Sequence, residues 1–230
     1  MFEGEMRKMI VQVSRNGHVY ALDRMNGDFL YAGEYTRVNW AERDERGKPV
    51  LKESLYEPAD TMVFPGLYGG KNWPPASYSP DTHMLYIPTT EWGTRFIRRE
   101  GDARAGTMDL GGIPQFDTTG TGWVVAFDML SGEIAWQKEM PGNFNWAGTL
   151  STGGGLVFSG APDGHVYAMN DETGEVLWKF QTGSGIYAPP TSFTIDGKQY
   201  IGVASGTRNP VTRAGVATGI ATGNYILFSL

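Results

Sequence analysis

Apolar positions along this chain come in short runs that alternate with polar residues and stop at turn formers. The pattern is clearest in Gly122-Trp-Val-Val-Ala-Phe-Asp128-Met-Leu-Ser-Gly132-Glu-Ile-Ala-Trp136. It returns 42 residues later as Gly164-His-Val-Tyr-Ala-Met-Asn170-Asp-Glu-Thr-Gly174-Glu-Val-Leu-Trp178. Each copy predicts two strands joined by a tight turn that a glycine closes, with an aromatic at a fixed place in the second strand. A third copy, Gly17-His-Val-Tyr-Ala-Leu-Asp23-Arg-Met-Asn-Gly27-Asp-Phe-Leu-Tyr31, stands near the start, and Gly17–Ala21 and Gly164–Ala168 are identical. A hairpin repeat of this length predicts the blades of an all-β propeller, four antiparallel strands to a blade.

Taken in order, residues 10–34 read as three strands broken at Asn16-Gly17 and Asn26-Gly27, and residues 35–65 as a polar excursion between blades. The charged run from Glu42 to Arg46 fits a solvated face. Residues 65–75 are a loop by composition; strand signals follow over Ala76–Pro80 and Met84–Ile87 with a turn between them. Residues 94–121 again read as an irregular excursion. Regular blades occupy 122–185, and a further hairpin, turning at Asp196-Gly197, spans 189–206. Residues 207–223 read as a Gly/Ala/Thr loop and Asn224–Phe228 as a last strand. One degenerate blade centred on residues 72–92 fills the interval between the first copy and the second. The expected whole is a single domain over 1–230: a partial propeller of four to five blades cut from a larger ring, with the chain starting inside a blade.

Composition narrows the function. Of 230 residues 40% are apolar, ample for a core, and the formal net charge of -6 is interspersed rather than gathered into a basic stripe, which argues against nucleic acid as a partner. With no cysteine, neither a disulfide nor a thiolate metal site is available. No apolar run is long enough to span a bilayer, and the first ten residues lack the apolar region of a secretory signal. His18 and His165 occupy one repeat position and His83 falls in a turn, so the histidines have no zinc spacing.

Within the repeat, an Asp or Asn after the first strand accepts hydrogen bonds from the turn, and the Trp packs on the neighbouring blade. Those residues are structural. The pattern Ala-x-Asp-x-x-x-Gly-x-x-x-Trp resembles the tryptophan-docking motif of the quinoprotein alcohol dehydrogenases, whose cofactor is pyrroloquinoline quinone. The resemblance runs over nearly the whole chain. Asp23-Arg-Met-Asn-Gly27, Gly70-Lys-Asn-Trp-Pro74, Glu91-Trp-Gly93, Trp146 to Gly160, Phe180 to Gly185 and Asp196 to Tyr200 are similar to successive segments of the methanol/ethanol dehydrogenase type, an eight-bladed ring.

The resemblance implies roles that the residues alone do not. Arg24, by itself an ordinary hairpin arginine, aligns with an arginine that binds the quinone oxygens and would stabilise the charge they gain; it is the catalytic candidate. Asn72 matches an asparagine that also contacts the quinone, although it would equally serve to brace the Trp73-Pro74 turn. Trp146 corresponds to a tryptophan beside a cofactor carboxylate and reads equally as a core aromatic of its blade; Trp73 and Trp92 are lesser candidates for the pocket wall, and Lys71, beside Asn72, is a weaker candidate that reads as exposed. The implied activity is oxidation of a primary alcohol to an aldehyde, with electrons passed to a cytochrome c-type acceptor in the periplasm. A homo-oligomer is compatible with it. The family's general-base aspartate, the ligands of its calcium or lanthanide ion and the tryptophan floor belong to an N-terminal part outside this sequence, so no metal ligand is assigned here and the chain alone is expected to be inactive. The family's Trp-Gly-Gly loop is also missing, because Gly206 is followed by Thr-Arg-Asn-Pro210. The rival reading is a non-catalytic propeller that binds proteins through its blade loops; such a scaffold has no need of the Asp-Arg turn or the Lys-Asn-Trp loop.

Overall fold

The computed structural model describes residues 5–52, 61–98, 105–106, 112–117, 119–206 and 223–229. Among them every regular element is a strand, and all the pairings are antiparallel. The first blade is β1 (Met9–Val13), β2 (His18–Asp23) and β3 (Phe29–Glu34), in that order. A small hairpin, β4 (Ala41–Arg43) and β5 (Pro49–Leu51), follows it. The second blade runs β6 (Ser77–Tyr78), β7 (Met84–Glu91), β10 (Thr121–Asp128), β11 (Glu133–Met140) from one edge to the other.

Two expectations are corrected by that second sheet. Residues 72–92 do not form a degenerate blade of their own: Met84–Glu91 pairs along its full length with Thr121–Asp128, so they are the first half of the blade that the copy at 122–136 completes. The excursion at 94–121 therefore lies within a blade, and it is not wholly irregular. It carries a hairpin of β8 (Thr94–Arg98) and β9 (Gly112–Phe116). Sequence periodicity finds strands but not their partners, and an insertion between two strands of one sheet looks like a link between sheets.

The third blade is the complete unit, β12 (Thr149–Thr152), β13 (Leu156–Gly160), β14 (His165–Asn170) and β15 (Val176–Gln181). The fourth is β16 (Thr191–Ile195), β17 (Lys198–Ser205) and β18 (Asn224–Ser229). The loop expected at 207–223, with Pro210 in it, lies almost entirely outside the described residues.

The apolar cores sit between blades. Val19, Tyr35, Ile87, Val125 and Phe127 join the first to the second; Tyr86, Val124, Met140, Val157 and Met169 join the second to the third; Phe158, Val166, Ile186, Ile201 and Val203 join the third to the fourth. The second and third sheets thus bury both faces, which is why β7 and β10 read as largely apolar runs. The repeat turns are built alike. Asp23, Asp128 and Asn170 each accept a backbone N–H two residues on, from Met25, Leu130 and Glu172. All three copies carry a register shift after the Ala of the repeat, between Ala21 and Leu22, Ala126 and Phe127, and Ala168 and Met169.

Candidate functional site

Antiparallel blades sort their connections onto two rims. The turn between β1 and β2, the link from β5 to β6, the insertion between β7 and β10 and the link from β11 to β12 share what we call the upper rim. The β2–β3, β6–β7, β10–β11 and β14–β15 turns share the lower one. Backbone hydrogen bonds tie each rim across blades: Gly70 N–H donates to Arg15 O above, and Met129 N–H to His83 O below.

The upper rim gathers an aromatic cluster. Trp146, in the β11–β12 link, meets Phe144 edge-on at 5.4 Å, Tyr68 at 5.8 Å and Trp73 at 6.4 Å between ring centroids. Trp92 closes its buried side, edge-on to Tyr68 and Phe144, and donates its indole N–H to Asn143 O. Phe116, on β9, stacks on Tyr68 at 5.0 Å. These rings come from four separate segments, and Trp73 is 60% exposed, so the cluster offers an apolar face to the outside.

The loop from Gly66 to Asn72 delivers the polar groups. It packs tightly on the first blade at Gly70, where an added Cβ would lie 2.6 Å from Thr36 Cγ2 and 2.8 Å from the Tyr35 hydroxyl, so only glycine fits. Tyr35, itself buried, donates to Ser14 O at 2.7 Å, and burial holds its phenol far above the ordinary tyrosine range. Asn72 is half-buried. Its amide donates to Tyr68 O at 3.0 Å and its carbonyl accepts the Trp73 N–H at 2.9 Å, which is the bracing role open to it from sequence. One amide N–H is left for a ligand. Trp146 is also half-buried, with no hydrogen-bond partner for its indole N–H among the described residues.

Asn72 and Trp146 are thus brought together through Tyr68 and Trp73. Arg24 is not. It is exposed in the β2–β3 turn on the lower rim, where its backbone N–H donates to Lys8 O. Strand β2 has six residues, so roughly 20 Å separates that turn from the upper rim at ~3.3 Å per residue. The expectation that Arg24 joins Asn72 and Trp146 in one site is therefore corrected by strand parity. The guanidinium on the correct rim is Arg15, in the β1–β2 turn: it donates to Leu67 O, and its backbone O holds the loop at Gly70. A signal for it existed. The segment Arg15-Asn16-Gly17 precedes the repeat strand, whereas Arg24 follows it, and the link loops lie at the preceding end.

Lys71, expected to be exposed, is half-buried, with its ammonium on Asn72 O at 3.1 Å; burial lowers its pKa. Among the described residues no three His, Asp or Glu side chains come together as a metal site.

Fold and rim together define a section of a tryptophan-docked β-propeller. The profile described as "Glucose/ethanol/alcohol dehydrogenase, beta-propeller domain" matches residues 122–201. The chain is 36% identical over 221 residues to the quinoprotein ethanol dehydrogenase of Pseudomonas aeruginosa, covering 89% of this chain and 35% of that protein. The crystal structure of quinohemoprotein alcohol dehydrogenase from Comamonas testosteroni superposes with a TM-score of 0.78 at 31% identity, over 89% of this chain and 32% of that one. A europium-containing methanol dehydrogenase gives 0.78 at 32% identity, over 89% and 37%. The chain is thus similar to quinoprotein alcohol dehydrogenases and spans about a third of the length of the relatives it matches.

Proposed function

We propose that this chain is part of a pyrroloquinoline quinone-dependent dehydrogenase that oxidises primary alcohols to aldehydes, and that its upper rim is one side of the cofactor site. The carrying observation is the convergence of Asn72, Trp146 and the Arg15 turn around one aromatic cluster. Such a group is a flat aromatic polycarboxylate, and the rim supplies what that shape needs: an exposed indole at Trp73, a half-buried one at Trp146, N–H donors with no partner among the described residues, and two cations that hold only backbone carbonyls. When bound, the quinone supplies the acceptor for the alcohol's hydride. Arg15, always charged, stands in Arg24's place as the donor toward oxygens that gain negative charge. Asn72 orients the ring with its spare N–H, Trp146 donates toward a carboxylate, and the Tyr68–Trp92–Phe144 wall keeps water from that side.

The remaining machinery is proposed to lie elsewhere in the complete protein: the general-base aspartate, the calcium or lanthanide ligands and the route to a cytochrome. A periplasmic setting follows the same reading; among the described residues no helix is long and apolar enough to cross a membrane. Binding of the quinone, followed by tryptophan quenching, tests the site. Arg15→Ala is expected to weaken it about tenfold or more and Arg24→Ala to leave it unchanged. Equal loss in both variants would remove the upper-rim assignment.

A further inference from the structure

Lys71 is the group that the rim's chemistry leaves unexplained. Its side chain is half-buried, and its one hydrogen bond among the described residues goes to the neutral carbonyl of Asn72. No carboxylate of the described residues lies within ion-pair distance of it. Burial alone lowers its pKa, as it does where no counter-charge offsets the loss of water. A second buried polar group is left unpaired on the same rim. Thr90 is 2% exposed and its hydroxyl has no partner among the described residues, while its backbone N–H donates to Gly70 O, one residue before Lys71. Thr90 faces Gly122 across the β7–β10 ladder, and a Cβ at Gly122 would lie 2.5 Å from Phe144 C and 2.7 Å from Asn145 N. The hydroxyl is therefore on the face of the sheet that carries the Phe144–Trp146 link. A desolvated cation without an anion and a buried hydroxyl without an acceptor are both costly.

We propose that Lys71 is an anion-binding residue, and that its ligand is a carboxylate of the aromatic quinone that Trp73 and Trp146 would help to hold. The assignment deepens the cofactor reading above and rests on it. Lys71 recognises charge, whereas Asn72 and the tryptophans recognise shape, so the two contributions separate by ligand. A lysine held next to Asn72 by its own backbone moves little on binding, because Gly70 is pinned from both sides by Arg15 and Thr90.

Reductive methylation with labelled formaldehyde keeps the lysine charge and gives each ammonium its own NMR signal. The Lys71 signal is identified by its absence in Lys71→Arg. With the full chain, pyrroloquinoline quinone is expected to shift that signal and raise its titration midpoint, while the trimethyl ester of the quinone leaves it in place. By tryptophan quenching, Lys71→Met is expected to weaken the quinone about tenfold, with the loss fading as salt rises, and Lys71→Arg to stay within about threefold of the parent. If the quinone quenches the tryptophans and the Lys71 signal does not move, the lysine assignment is overturned and the cofactor site stands. If neither responds, both fall.

Discussion

The first and third blades share the segment Gly-His-Val-Tyr-Ala letter for letter, at 17–21 and 164–168, yet the structure uses it differently in each. His18 is fully buried with neither ring nitrogen hydrogen-bonded, its Nε2 3.8 Å from Glu34, and burial lowers its pKa to about 4. His165, half-exposed, pairs its Nδ1 with Asp163 at 2.8 Å. The docking aromatics diverge too. Tyr31 of the first blade donates its hydroxyl to Met129 O of the second at 2.9 Å, and Trp136 of the second donates to Asp171 O of the third, also at 2.9 Å. Trp178, the same residue of the third blade, is 39% exposed, and among the described residues its ring contacts are with Phe180 and Phe228. A repeat residue acquires its role from the next blade's turn. Where no such turn is described, the indole is simply an exposed ring.

The largest effect that would break this contrast is expected at Trp136. Trp136→Ala removes an indole packed on Gly174 and its hydrogen bond, and should cost about 3 kcal/mol in urea unfolding. Trp178→Ala should cost less than about 1 kcal/mol; equal losses would mean that docking is not what the motif does.

Acid titration of the same unfolding reaction tests the burial of His18. Since His18 protonates near pH 4 when folded and near 6.5 when unfolded, the unfolded state binds more protons between those values. Its contribution is complete above about pH 6.5, is lost as pH falls toward 4 and falls no further below that, a total of roughly 3 kcal/mol. His18→Leu should flatten this part of the profile.

Glycine substitutions sharpen the comparison on a smaller scale. A Cβ at Gly174 would lie 2.6 Å from Trp136, and one at Gly132 3.3 Å from Tyr31, with φ of 71° and 75°. Both alanines incur left-handed backbone strain of about 1 kcal/mol, so Gly174→Ala should destabilise by about 2 kcal/mol and Gly132→Ala by about half that in thermal unfolding. The smallest expected effect is Arg24→Ala, within about 0.5 kcal/mol, because its guanidinium is an exposed lower-rim group.

Much of this molecule was fixed locally. The apolar runs, Asn-Gly and Asp-Gly turns and repeated Asp and Trp determine strands, hairpins and docking, because those choices depend on residues within one hairpin. The kind of fold could be read in the same way, whereas the aromatic residues of the candidate site, Trp73, Trp92 and Trp146, are singled out by the resemblance to the quinoprotein dehydrogenases and not by local pattern. Tertiary structure alone decided which strands share a sheet: β7 pairs with β10 across an insertion, a separation that hydrophobic period does not encode. It also decided the rim. Arg24 and Arg15 are both arginines beside an Asn-Gly turn, and only the direction of the strand between them puts one guanidinium with Asn72 and the other on the far side. Lys71 and His18 complete the point, for burial is set by what other segments lay over a residue, and that covering is a property of the assembled blades.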